Sequence, residues 1–140
     1  QGDVIYAVTY QGRLGALARG TGRSLWFQDS NSYQAPAHSL GQVYVSEADS
    51  TVRAFRAGSG QVIWSNENLF LRRVTSPTIL GGTVAVADAE GYLHLLDPVD
   101  GSFVARTKVD SSGVSAPMLN VGESLIVQAN DGSLSAYKIQ

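Results

Sequence analysis

The chain has 140 residues, 44% of them hydrophobic, which is enough to bury a sizeable core. Its net charge of −2 and its ten scattered basic residues lack the basic stripe that a nucleic-acid binder needs. Cysteine is absent, which removes disulfides, thiolate metal sites and cysteine nucleophiles, and no apolar run approaches the roughly 18 residues of a membrane-spanning helix.

From its start the chain repeats about every forty residues, the period of a four-stranded propeller blade. The first unit opens on the apolar run Val4–Val8, turns at Gln11-Gly12, continues as Gly12–Leu17, turns again at 20–22 and ends on Ser24–Phe27. The second opens at Pro36 and runs through Val43–Val45, the turn Asp49-Ser50, Ser50–Phe55, the turn 58–60 and Val62–Trp64. The third opens at Pro77 and follows with Val84–Ala87, Glu90-Gly91, Gly91–Leu96, Asp100-Gly101 and Phe103–Ala105. The fourth opens at Pro117 and has Leu125–Val127, then Asp131-Gly132 leading into a strand that ends at Tyr137.

These units read as strands A to D of a blade. The B runs are continuously apolar, as expected of strands covered on both faces, and the prolines mark strand starts, where a missing N–H is tolerated. Glycine and aspartate between runs are the residues hairpin turns require. The pattern predicts an all-β chain, a β-propeller of four-stranded antiparallel blades. Its repeats lie at about residues 3–40, 42–80, 83–119 and 123–140, the first without strand A and the last without strand D. Blades bury their faces against neighbours, so the reading is a fragment of a larger ring. In isolation it would expose two apolar faces, which invites self-association of half-rings.

Candidate chemistry is sparse. The turn acids Glu47, Asp49, Asp88, Glu90 and Asp131 lack the spacing of a calcium loop and suit turns better than a metal. His38 and His94 have no visible co-ligands, and no Gly-x-Ser-x-Gly elbow occurs. Neither a catalytic residue, a cofactor site nor a metal site is expected. Trp26 and Trp64 recur at one place in the repeat and are expected to pack blade against blade, with Ala105 in the third copy.

The pattern Gly-x-Leu-x-Ala-Leu followed by Thr-Gly-x-x-x-Trp, at 12–17 and 21–26, resembles the repeat of pyrroloquinoline-quinone-type propellers. The segments 89–94, 100–105 and 108–113, with Thr75-Ser-Pro77 and 126–132, resemble the C-terminal half of the BamB family. Its members are propeller lipoproteins of the outer-membrane β-barrel assembly machinery of Gram-negative bacteria. The resemblance implies an eight-bladed ring, of which this chain is about half, on the periplasmic face of the outer membrane. A lipid anchor would lie on an N-terminal cysteine that this chain does not contain. It further implies a non-catalytic scaffold that binds the periplasmic POTRA domains of BamA and aids the insertion of β-barrel proteins, with nascent outer-membrane proteins as possible clients.

In that family the contacts to BamA come from D-to-A loops, and the two main ones correspond to positions upstream of Gly2. The equivalent loop here is Leu69-Phe-Leu-Arg-Arg-Val-Thr-Ser-Pro77, with Leu71-Arg72 placed before the proline as in the family. Phe70, Leu71, Arg72 and Arg73 are therefore the candidate partner-binding residues, an apolar anchor beside guanidinium forks suited to carboxylates. The alternative is a solvated loop whose arginines pair with Glu47 or Asp88. A fragment of a quinoprotein dehydrogenase, or an unrelated peptide-binding propeller, is the alternative function.

Overall fold

The structure, a computed structural model, describes residues 3–9 and 11–139; Gln140, the end of the fourth expected repeat, lies outside them. Every regular element in it is a strand. The first sheet holds β1 (Val4–Thr9), β2 (Arg13–Ala18) and β3 (Ser24–Asp29). The second holds β4 (Ala37–Ser39), β5 (Gln42–Ser46), β6 (Val52–Arg56) and β7 (Val62–Asn66). The third holds β8 (Thr78–Leu80), β9 (Thr83–Ala87), β10 (Tyr92–Leu96) and β11 (Phe103–Lys108). The fourth holds β12 (Leu119–Val121), β13 (Ser124–Gln128) and β14 (Leu134–Tyr137).

Within each sheet consecutive strands pair antiparallel, so each blade is a meander of tight hairpins. Pro36 and Pro77 stand immediately before β4 and β8, outside the hydrogen-bonded ladder that proline would interrupt. Strands C and D of three blades carry a bulge at one repeat position, after Ala16, Ala54 and Leu95. A bulge adds local twist and re-aims the side chains beside it. Trp26 lies opposite Ala16 and Trp64 opposite Ala54, each at the bulge.

Three hydrophobic clusters fill the spaces between successive sheets. Leu14, Val43, Val45 and Phe55 join the first blade to the second. Tyr44, Val52, Trp64, Val84, Val86 and Leu96 join the second to the third. Leu93, Leu95, Met118, Leu125 and Val127 join the third to the fourth. The short strands β4, β8 and β12 come next to one another, so the blades radiate from a common axis.

The two indoles clamp these junctions. Trp26 Nε1 donates to the Ala57 carbonyl at 2.8 Å, and its ring lies on Gly60. Trp64 Nε1 donates to the Pro98 carbonyl at 2.9 Å, and its ring lies on Gly101. Each hydrogen bond satisfies the one polar atom of a ring whose burial is worth about 2–3 kcal/mol. The turn glycine must lack a Cβ for the ring to seat. Ala105 occupies the third copy of this position, opposite Leu95, and leaves that junction to aliphatic packing.

Candidate functional site

The β7–β8 loop, residues 67–77, is held by its backbone rather than by its exposed side chains. Leu69 is buried in the junction beneath it, whereas Phe70 and Leu71 are 58% and 68% exposed. The Leu71 N–H donates to the Asp49 carbonyl at 2.9 Å, in the turn of the second blade. The Ala89 N–H, in the turn of the third blade, donates to the Arg72 carbonyl at 3.0 Å. The loop therefore bridges two blades.

Leu71 and Arg73 adopt left-handed backbone conformations, with φ of 61° and 58°. Such a conformation costs a residue with a Cβ roughly 1–2 kcal/mol, so it persists only where surrounding bonds impose it. Ser50 supplies two of them: its hydroxyl accepts the N–H of Arg73 at 2.9 Å and of Val74 at 3.2 Å. Ser50 itself has φ of 74°, at the repeat position that is glycine in the other three blades, Gly12, Gly91 and Gly132. A strained serine replaces the permissive glycine at the turn beneath this loop, and its hydroxyl holds the loop in place.

The four candidate residues separate into two groups. Arg72 turns inward: its Nε donates to Asp88 Oδ2 at 2.9 Å and its Nη2 lies 3.3 Å from Glu90 Oε1. Asp88 is fully buried, and its Oδ1 accepts the N–H groups of Glu90 and Tyr92. His94 Nε2 lies 2.7 Å from Asp88 Oδ2. Burial pushes the Asp88 pKa up, but hydrogen bonds from His94, Tyr92 and Arg72 outweigh it and hold the carboxyl well below the usual carboxylate range. Arg72 is thus a tether pairing with Asp88, as the solvated-loop alternative anticipated.

Phe70, Leu71 and Arg73 face outward. No ion pair among the described residues engages Arg73. Leu71 and Arg73 line an open concavity of about 780 Å³ with Tyr33 and Gln34 of the β3–β4 loop, Ser50, and Asn130 of the last hairpin turn. The D-to-A loops and B-to-C turns thus meet at one end of the propeller, around a shared mouth.

The remaining candidates have structural partners. The Asp49 and Asp131 carboxylates accept the N–H two residues on, closing their turns. Glu47 pairs with Arg53 at 3.1 Å and accepts from the Ser30 hydroxyl. His38 rests against the Tyr6 ring, with centroids 5.4 Å apart. Among the described residues no three acids and histidines converge to hold a metal ion.

Sequence reasoning treated His94 as isolated and missed its pairing with Asp88. The signal was present: β9 and β10 pair His94 with Val86, and alternation puts Asp88 on the same face as Val86, toward the turn. The left-handed Ser50 was missed because a serine at a turn carries no mark of its φ.

A family model described as outer membrane protein assembly factor BamB matches residues 1–66 and 48–140. The Pseudomonas aeruginosa protein of that name is 42% identical over 99% of this chain and 37% of its own length. The Escherichia coli one is 34% identical over 94% of this chain and 33% of its own length. The crystal structure of BamB from Moraxella catarrhalis superposes with a TM-score of 0.92 at 26% identity, covering 99% of this chain and 41% of that one. This chain spans 33% to 41% of the length of these relatives. The relatives are named for an assembly role and not for a reaction. By fold, repeat and sequence alike, the chain belongs to the BamB family of outer membrane protein assembly factors.

Proposed function

We propose that this chain, residues 1–140, contributes a run of blades to a non-catalytic scaffold of the outer-membrane assembly machinery. The scaffold sits on the periplasmic face of the outer membrane, anchored by a lipid outside this sequence. It docks the periplasmic POTRA domains of BamA through the loops at one end of the propeller and aids insertion of β-barrel proteins. About half of an eight-bladed ring is the share this chain supplies.

The observation that carries the docking reading is the β7–β8 loop. Two exposed apolar side chains and one arginine without an ion pair among the described residues are presented on a backbone fixed at both flanking blades. A prearranged loop loses little conformational entropy on binding, and an arginine beside apolar anchors is a common composition of interface hot spots. Arg72 contributes indirectly, by tying the loop to Asp88.

The test is the affinity of this chain, and of the full-length protein, for the POTRA domains of BamA. Arg73→Ala and Leu71→Ala should each weaken binding about tenfold or more, with an unchanged far-UV CD spectrum. Unchanged affinity in both variants would remove this loop from the interface.

A further inference from the structure

A second cleft, of about 210 Å³, opens between the β7–β8 loop and the third blade. Asn68, Leu69 and Arg72 of the loop line it, with His94 of β10 and Phe103 and Arg106 of β11, and none of these residues lines the mouth. Its walls combine two guanidinium groups with an exposed aromatic ring and a buried leucine.

The polar atoms are unequally satisfied. Arg72 is engaged by Asp88 and Glu90, but Arg106 has no carboxylate partner among the described residues and lies 4.9 Å from the centre of the Tyr92 ring. His94 is 1% exposed, and only one of its ring nitrogens is used: Nε2 donates to the ionised Asp88, whereas Nδ1 is buried without a hydrogen-bond partner. Buried polar atoms are nearly always paired, and this unpaired one belongs to a ring that lines the cleft. The charged and titratable groups around this ring are Asp88 and Glu90 of the β9–β10 turn, Arg72 of the loop, Tyr92 of β10, and Arg106 and Lys108 of β11. Their formal charges leave an excess of one positive charge before the imidazole is counted.

We propose that this cleft binds a small carboxylate carried on an apolar body. Arg106 and Arg72 hold the charged end, Phe103 and Leu69 pack the body, and His94 Nδ1 makes the remaining polar contact. In the neutral ring Nδ1 is a lone pair, which repels a carboxylate; in the imidazolium it is a donor. Asp88 stays ionised against Nε2 in both forms. The mouth and the cleft share no lining residue, although the β7–β8 loop forms part of both.

The test titrates benzoate into the whole chain by calorimetry, with benzamide and inorganic phosphate as comparisons, while NMR follows the His94 ring nitrogens. Benzoate should bind saturably, and the His94 ring nitrogens should shift on binding. Benzamide and phosphate should bind at least about tenfold more weakly. Arg106→Gln, at an exposed rim position, should lose about tenfold in benzoate affinity with an unchanged CD spectrum, and Arg106→Lys should recover part of it. The proposal falls if benzoate shows no saturation by about 10 mM, if benzamide or phosphate matches it, or if the His94 ring nitrogens do not shift when it binds.

Discussion

The seating of Trp64 on Gly101 makes Gly101→Ala the sharpest test of how the blades are joined. Gly101 has φ of 77°, and a Cβ there would be built into the six-membered part of the indole. Alanine at that φ costs about 1–2 kcal/mol by itself. Displacing a packed ring adds about 1–3 kcal/mol, for a total of about 2–5 kcal/mol. Urea unfolding followed by far-UV CD measures the loss. The same substitution in a Trp64→Leu background meets no indole, so only the backbone part, about 1–2 kcal/mol, should remain. Equal costs in both backgrounds, or a cost below about 1 kcal/mol in the parent chain, would refute the idea that this glycine exists to seat the ring.

Other expectations follow from single contacts. Leu40 is 76% exposed with φ of 55° in the β4–β5 turn, so Leu40→Gly should stabilise the chain by about 1 kcal/mol, read as a higher urea midpoint. Asp88→Asn removes the charge that pairs with Arg72 and His94, and should cost about 3 kcal/mol in the same assay. The native carboxylate titrates below its unfolded value, so its contribution is complete above about pH 4 and lost as the pH falls further. The Asp88→Asn variant should show a correspondingly shallower acid-unfolding profile. Ser50→Gly relieves the backbone of the turn but frees the N–H groups of Arg73 and Val74. Amide exchange at 73 and 74 should then accelerate while global stability changes by less than about 1 kcal/mol.

The order of strands was readable because each blade uses the same devices: an apolar B run, a glycine or acid at the hairpin, and a proline ahead of β4 and β8. These act within a few residues of one another. The position of Trp26 and Trp64 at the blade junctions was readable for the same reason, since the repeat fixes where the indole falls. What the candidate loop does was less legible, because it depends on partners from two blades. Leu71-Arg72-Arg73 is a run of three exposed-looking residues, yet Arg72 folds inward onto an acid sixteen residues away. The sequence offers Asp88 as a partner for the loop arginines, but nothing local distinguishes Arg72 from Arg73 as the one that reaches it. That choice is made by the left-handed conformations on either side, which Ser50 and the Asp49 carbonyl impose.

Trp26 and Trp64 are the chain's two tryptophans, and each marks one blade junction. Intrinsic fluorescence is therefore a two-channel reporter: one emitter reads the first junction and the other the second. The third junction, built around Leu93, Leu95 and Leu125, has no indole. Detachment of the last sheet would pass without a change in tryptophan emission, although it would register in tyrosine signals from Tyr137, which packs against that cluster. Fluorescence and circular dichroism should then disagree whenever the blades separate one at a time, and agree when all the junctions give way together.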